Sequence, residues 1–122
     1  MSTAVTEPLT STAASASSWT AVCPADAILV NTGVCARVGH HQVAVFRLAG
    51  DRYFAIDNVD PKSGASVLSR GLVGNLGERL VVASPLYKQH YDLSSGECLE
   101  DAGLSVRAFP VQIQQGQVCV GL

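Results

Sequence analysis

The 122-residue sequence has few charged residues, no excess of positive charge and no long hydrophobic run. Its net charge is −2, and only 15% of its residues are charged, so it lacks the basic surface that follows a phosphate backbone. No apolar run approaches the ~20 residues that are needed to span a bilayer. We therefore expect neither nucleic acid nor a membrane among its partners.

A targeting signal is also missing from the start of the chain. The first 18 residues contain no lysine or arginine, whereas a secretory signal has a basic start and a mitochondrial presequence has arginines. Small and polar residues dominate this stretch, and they offer too little apolar surface to offset the entropy of ordering. Residues 1–18 are predicted to be a disordered tail, residues 19–122 a single domain, and the location cytoplasmic.

The four cysteines form no C-x-x-C pair and no C-x-x-H, which are the local ligand pairs of most cysteine metal sites. In a reducing compartment they are expected to be thiols. The apolar or small neighbours of Cys23, Cys35 and Cys119 favour buried core residues, with a ligand or redox role as the alternative. Cys98 lies on a predicted hairpin and is expected to be the most exposed of the four.

Short segments with a period of two dominate the chain and predict an all-β fold. Residues 41–48 and 52–57 are predicted to form a hairpin with Val43 and Val45 on one face. Further strands are expected at 78–83, 91–93, 97–99, 111–113 and 117–120, with a turn region at 74–77 and weak helical periodicity at 65–69. Gly96 lies in a turn that requires a positive φ. This spacing is typical of a small antiparallel sandwich or barrel.

Two segments, residues 58–65 and 84–91, interrupt this pattern. Each follows a predicted strand, and the dipeptides Asp60-Pro61 and Ser84-Pro85 occur near their starts. Proline fixes φ and removes a hydrogen-bond donor from the sheet. Both segments are therefore predicted to be loops that leave the sheet.

These loops resemble the two ligand loops of Rieske domains, which read Cys-Pro-His and Cys-Pro-x-His-Gly-x-x-Phe-Asp-Leu-x-x-Gly. The prolines, Tyr91-Asp92-Leu93 and Gly96 retain that frame. The resemblance implies a Rieske-like antiparallel β-sandwich or barrel with two former ligand loops. It places Asp60 and Ser84 at the cysteine positions, and Lys62 and Tyr87 at the histidine positions.

The residues at those four positions do not match the chemistry of a Rieske cluster. Such a cluster is held by two thiolates and two neutral imidazoles. A lysine ammonium has no free lone pair, serine and tyrosine hydroxyls do not replace thiolates, and an aspartate is a hard oxygen ligand. We therefore expect no [2Fe–2S] cluster, no other metal and no cofactor in this chain.

A longer set of motifs is similar to the small subunits of the cytoplasmic assimilatory NAD(P)H-dependent nitrite reductases. The motifs are Asn-Val-Asp-Pro at 58–61, Ala-Ser-Val-Leu-Ser-Arg-Gly at 65–71 and Val-Ala-Ser-Pro-Leu-Tyr-Lys-Gln-His at 82–90. The likeness implies a non-catalytic subunit that supports nitrate assimilation. The large partner subunit would carry FAD, sirohaem and a [4Fe–4S] cluster, and would reduce nitrite to ammonium.

Four polar residues are candidate contacts with that large subunit: Arg70, Lys88, Gln89 and His90. For the last three the alternative is a solvated polar loop, and for Arg70 it is internal pairing with Asp57 or Asp60. No catalytic residue is predicted, because closeness in sequence gives Ser84, His90 and Asp92 no triad geometry.

Asp60, Lys62 and Tyr87 are expected to converge, with a Lys–Asp pair and the tyrosine hydroxyl holding the two loops together. Two other functions stay open at this point. One is an electron-transfer protein that carries an atypical iron–sulfur or mononuclear metal centre through His90 and cysteines. The other is a small-molecule binder with a closed pocket between the loops.

Overall fold

Ten β-strands and three 3₁₀ turns make up residues 18–122, the part of the chain that a computed structural model describes. The predicted tail lies outside the described residues, except for Ser18. The strands are β1 (Trp19–Pro24), β2 (Thr32–Val38), β3 (His41–Leu48), β4 (Arg52–Asp57), β5 (Leu72–Leu76), β6 (Arg79–Ala83), β7 (His90–Asp92), β8 (Ala108–Phe109), β9 (Val111–Gln114) and β10 (Gln117–Gly121). The 3₁₀ turns span Ala25–Ala27, Leu68–Arg70 and Ala102–Leu104.

The strands form three antiparallel sheets, in the orders β1-β10-β9, β2-β3-β4-β8 and β5-β6-β7. The all-β antiparallel fold is confirmed. The sequence predicted a sandwich or a barrel. Over residues 18–122 the sheets do not close into a barrel, so the sandwich is the correct alternative. No helix in this range is long and apolar enough to cross a membrane.

Strand β3 is the centre of the fold because both of its faces are buried. Val43 and Val45 belong to a core shared with Val118 and Val120 of β10, whereas Ala44 and Phe46 belong to a second core that reaches β6 and β7. The four-stranded sheet therefore has a three-stranded sheet packed on each face. The second core places β6 and β7 so that the chain between them, residues 84–89, leaves the sheet as one tight loop.

The predicted hairpins are confirmed where alternation and turn residues agree. The β3–β4 and β9–β10 hairpins match their predicted positions, and Gly96 has a φ of 82°. An added Cβ at Gly96 would also meet the carbonyl oxygen of Val106. The predicted hairpin at 91–93 and 97–99 is reduced to a single bridge between Tyr91 and Cys98, because β7 pairs mainly with β6.

Three other expectations about the fold are wrong. Residues 74–77 are not only a turn, because Gly74 and Asn75 lie inside β5. Cys35 is exposed and not buried, and its sulfur accepts a hydrogen bond from Asn58 Nδ2 at 3.3 Å. Cys98 is buried and not the most exposed cysteine, since its side chain packs in the second core.

Candidate functional site

Backbone hydrogen bonds close each of the two irregular loops on itself. In the first loop, Asp60 N donates to Ala65 O at 2.8 Å and Gly64 N donates to Asp60 O at 2.7 Å. In the second loop, Ser84 N donates to Gln89 O at 2.9 Å, and Lys88 N donates to Ser84 O at 3.1 Å. Local bonding of this kind satisfies backbone groups that have left the sheet, and it fixes the shape of each loop.

A buried side-chain pair joins the two loops. Asp60 and Ser84 are 0% and 1% exposed, and Ser84 Oγ donates to Asp60 Oδ2 at 2.5 Å. The other carboxylate oxygen, Asp60 Oδ1, accepts from Lys62 N at 2.8 Å. These are the two residues placed at the cysteine positions by the resemblance. A charge-assisted hydrogen bond now connects the positions that a cluster would bridge.

A second pair joins the loops nearer to the solvent. Lys62 Nζ lies 5.0 Å from the centroid of the Tyr87 ring, which is the geometry of a cation–π contact. These two residues occupy the positions assigned to histidine. Lys62 and Tyr87 therefore meet as expected, but the expected Lys–Asp ion pair is absent, and over residues 18–122 the Tyr87 hydroxyl makes no side-chain hydrogen bond. Among the ion pairs of residues 18–122 none joins Lys62 to Asp60, because the carboxylate is directed to Ser84.

The residues at this place do not fit a [2Fe–2S] cluster. The four positions present a carboxylate, an ammonium, a hydroxyl and a phenol, which supply neither thiolates nor imidazoles. The side chains are already paired with one another, and the inner pair is fully buried. Within the described part of the chain, no group of three or more His, Cys, Asp or Glu side chains is arranged to hold a metal ion.

Gln89 and His90, which follow the tip of the second loop, are both held by side-chain contacts. Gln89 is 7% exposed, and its Nε2 donates to the Tyr91 hydroxyl at 3.3 Å. Burial raises the pKa of Tyr91 to about 12, although the hydrogen bond with Gln89 acts in the opposite direction. His90 is held by Glu100, whose two oxygens lie 2.7 Å from His90 N and 2.6 Å from His90 Nδ1. Neither residue is a freely solvated side chain of the loop.

Glu100 was not predicted, because it is ten residues from His90 and no local motif links them. Burial alone would raise the pKa of the Glu100 carboxyl, but hydrogen bonds from the His90 backbone and ring outweigh it and lower that pKa. Glu100 lines a cleft of about 310 Å³ whose lining residues also include Lys62, Tyr87, Lys88, Cys98 and Leu104. The cleft is open to solvent and is therefore not the closed pocket that a small-molecule binder was expected to have.

The four candidate contacts with a large subunit differ in their exposure. Arg70 and Lys88 are exposed, and over residues 18–122 neither has a side-chain hydrogen bond or an ion pair. Arg70 therefore does not pair with Asp57 or Asp60. His90 is partly exposed and tied to Glu100, while Gln89 is buried and supports the loop from inside.

The tip of the second loop also contains two large exposed side chains that were not proposed as contacts. Leu86 is 50% exposed and Tyr87 is 54% exposed. The chain contains only two lysines, Lys62 and Lys88, and both lie beside them in these loops. The signal was available in the sequence, because Leu86 is an apolar residue that directly follows the Ser84-Pro85 start of a predicted loop.

Asp92 anchors the strand that follows the second loop. Its Oδ1 accepts from Ser94 N at 2.8 Å and from Ser94 Oγ at 2.6 Å, and its Oδ2 accepts from Arg79 Nε at 2.8 Å. Burial alone would raise the pKa of the Asp92 carboxyl, but the hydrogen bonds from Ser94, Arg79 and Ser95 outweigh it and lower that pKa. Ser84, His90 and Asp92 thus bond to three different partners, and no relay connects them.

Replacing Asp92 by asparagine is expected to lower the free energy of unfolding by about 1.5–3 kcal/mol at pH 7, the usual contribution of hydrogen bonds to a charged group. Because the pKa of Asp92 is lowered by folding, its contribution is complete above the unfolded pKa of about 3.9 and is lost as the pH falls through the folded value. Chemical denaturation at pH 7 and pH 3 measures both effects, and the difference between the proteins should shrink at pH 3.

Asp51→Asn is the matched control for this prediction. The Asp51 side chain is 69% exposed in its ion pair with Arg47, so its loss should change stability by about 0.5 kcal/mol or less. Equal effects of the two substitutions at pH 7 would contradict the anchoring role of Asp92.

Known proteins share sequence and fold with this chain. Residues 18–121 match the family of Rieske-like [2Fe-2S] domains. The small subunit of the NADH nitrite reductase of Escherichia coli K12 is 48% identical over 103 residues, which are 84% of this chain and 95% of that protein. A solution structure of the nitrite reductase [NAD(P)H] small subunit from Erwinia carotovora has a TM-score of 0.74 and 50% identity, and the match covers 85% of this chain and 81% of that one.

A longer protein contains the same domain. The large subunit of the nitrite reductase [NAD(P)H] of Klebsiella oxytoca is 47% identical over 103 residues, which are 84% of this chain and only 11% of that protein. The matched part of the chain thus corresponds to nearly all of a small subunit in one relative and to a minor part of a large subunit in another. It belongs to the family of Rieske-like [2Fe-2S] domains and, within it, to the small subunits of the NAD(P)H-dependent nitrite reductases.

Proposed function

We propose that this chain is a non-catalytic subunit of a cytoplasmic nitrite reductase of nitrate assimilation, and that it supports the large subunit without a cluster of its own. The observation that carries the proposal is the direct pairing of the two former ligand loops through Asp60–Ser84 and Lys62–Tyr87. The pairing holds the tips of both loops in one arrangement. A surface of fixed shape loses little conformational entropy when a partner binds.

The composition of the loop tips supports docking. Leu86 and Tyr87 expose apolar surface next to the ammonium groups of Lys62 and Lys88, on a chain whose net charge is −2. Aromatic residues are enriched at the centre of protein interfaces, and a local positive charge favours a partner surface of opposite sign. We name Lys62, Leu86, Tyr87 and Lys88 the loop-tip surface, and propose that it contacts an acidic and partly apolar region of the large subunit.

The Klebsiella oxytoca relative gives independent support. In that protein, a segment that is 47% identical to this chain is part of the large-subunit polypeptide itself. A separate chain has no covalent link that raises its concentration near the large subunit, so it must bind through its own surface. FAD, sirohaem and a [4Fe–4S] cluster are proposed to lie in the large subunit.

An electron-transfer role receives less support. It would require a metal centre built from His90 and cysteines. His90, however, is hydrogen-bonded to Glu100, and Cys35 lies on β2, where its sulfur accepts a hydrogen bond from Asn58. The proposal is therefore that electrons pass within the large subunit and that this chain contributes shape and contacts.

The double variant Tyr87→Ala/Lys88→Glu tests the proposed function. We expect it to weaken the complex with the large subunit by about 10- to 100-fold, because it removes an exposed aromatic side chain and inverts a charge in one surface. The measurement is the dissociation constant of the purified complex, together with nitrite-dependent NAD(P)H oxidation. Arg37→Glu inverts a charge on an exposed residue of β2 and should leave both unchanged. Wild-type affinity of a folded double variant would contradict the proposal.

A further inference from the structure

Strand β5 is an open edge of the sheet β5-β6-β7. It is joined to β6 through the two-residue turn Gly77-Glu78, so Leu76 and Arg79 form the hydrogen-bonded pair that closes the hairpin. Hydrogen-bonded and non-hydrogen-bonded pairs alternate along an antiparallel ladder. The backbone N–H and C=O groups of Val73 and Asn75 therefore face away from β6. Over residues 18–122, no hydrogen bond joins these groups to any other part of the chain.

This edge lacks the features that usually prevent strand addition. Exposed edges are normally protected by charged side chains, proline, bulges or very short length. The sequence of β5, Leu-Val-Gly-Asn-Leu, has none of these. By contrast, β1 has a bulge between Ala21 and Cys23 and ends at Pro24, and β8 is only two residues long.

The side chains of β5 add an apolar surface to the open backbone. Leu72 is 80% exposed and Leu76 is 44% exposed, and both point to the face opposite Val73, which packs on the second core. Gly74 lies between them on the same face, and a Cβ at that position would meet no atom within 4 Å. The two leucines thus present apolar side chains along the edge, with open space between them at Gly74.

The edge is continuous with the second loop. Leu72 is paired with Ala83, the residue directly before Ser84, and a Cβ on Gly71 would clash with Ala83 O. The exposed side chain of Arg70 precedes this point. The start of β5 therefore lies at the base of the second loop, whose tip is part of the loop-tip surface.

We propose that β5 is an acceptor for a strand of the large subunit, which extends the sheet β5-β6-β7 by one strand. The partner segment is extended and uncharged, and it places apolar side chains against Leu72 and Leu76 while its backbone bonds to Val73 and Asn75. A second copy of this chain is the less favoured occupant. Five edge residues with two leucines offer much less than the about 1,200 Å² that stable interfaces bury, so this edge requires a larger adjoining interface. The inference thus rests on the proposed function.

Two substitutions in β5 test the inference in the intact complex. Asn75→Pro removes one outward-facing N–H and keeps the ladder to β6, because proline is accepted where the donor points away from the sheet. Leu72→Lys places a charge on the edge without touching the backbone. We expect each to weaken the complex by about 10-fold or more. Leu29→Lys changes a similarly exposed leucine, at 72%, and should leave the affinity unchanged.

Hydrogen exchange gives a direct readout that a general loss of stability would not reproduce. In the wild-type complex, the amides of Val73 and Asn75 are expected to exchange at least about 10-fold more slowly than in the free chain. Unchanged exchange at both amides would overturn the inference, as would wild-type affinity of both folded variants. A third outcome is that the chain self-associates and that Leu72→Lys abolishes this self-association while the complex with the large subunit stays intact. That outcome would assign the edge to a second copy of the chain and would also overturn the inference. A wild-type chain that does not bind the large subunit would instead reject the proposed function.

Discussion

Replacing Ser84 by alanine is expected to lower the free energy of unfolding by about 2–4 kcal/mol, although only one oxygen atom is removed. Ser84 Oγ is the side-chain donor to the Asp60 carboxylate, and both residues are buried. The variant leaves a buried carboxylate with one hydrogen bond fewer and with no access to water. The melting temperature should fall by roughly 10 °C or more for a domain of this size.

Ser63→Ala is the matched control, because Ser63 is an exposed serine of the first loop whose Oγ accepts from Ala65 N at 3.1 Å. We expect a change of about 0.5 kcal/mol or less. Thermal and chemical denaturation of the three proteins measure the difference. A Ser84→Ala protein as stable as the Ser63→Ala protein would show that the buried pair does not hold the loops together.

The second large effect is a gain of iron. If the two loops keep the arrangement of a ligand site, the quadruple variant Asp60→Cys/Lys62→His/Ser84→Cys/Tyr87→His should take up a [2Fe–2S] cluster, with about two iron atoms per chain. The reason is that the side chains at the two cysteine positions already touch, as do those at the two histidine positions. Iron and sulfide analysis and the visible and electron paramagnetic resonance spectra after reconstitution measure the result.

The double variant Asp60→Cys/Ser84→Cys is the control for that gain. It supplies two thiolates but no imidazoles, so it should not give the spectrum of a centre with two histidine ligands. A quadruple variant that folds and binds no iron would contradict the claim that the two loops retain the arrangement of a Rieske ligand site.

Local patterns predicted the parts of the fold in which neighbouring residues carry the information. The β3–β4 hairpin follows from alternation and a turn, both of which are local in sequence. Residues 74–77 are predicted to be a turn region because glycine and asparagine are typical of turns, and only pairing with β6 makes residues 74–76 part of a strand. The burial of the second face of β3 could not be predicted either, because it depends on which sheet packs against that face.

The candidate site was predicted in position but not in its contacts. The resemblance to the Rieske ligand loops implied that Asp60, Lys62 and Tyr87 would converge. The pairing of Asp60 with Ser84 spans 24 residues, and it replaced the expected bond with Lys62 because a local turn directs Lys62 N, and not its ammonium, to the carboxylate. The burial of Gln89 and the bond between His90 and Glu100 also depend on long-range packing, which no local motif encodes.

The most direct test of the central claim is to purify the complex of this chain with the large subunit, separate the subunits, and measure the iron content of the small chain. A subunit that shapes an interface without a cluster of its own predicts a stable complex and no iron in the small chain. Iron at close to two atoms per small chain would contradict the account. A chain that neither binds the large subunit nor contains iron would contradict the proposed function, and only the description of the fold would stand.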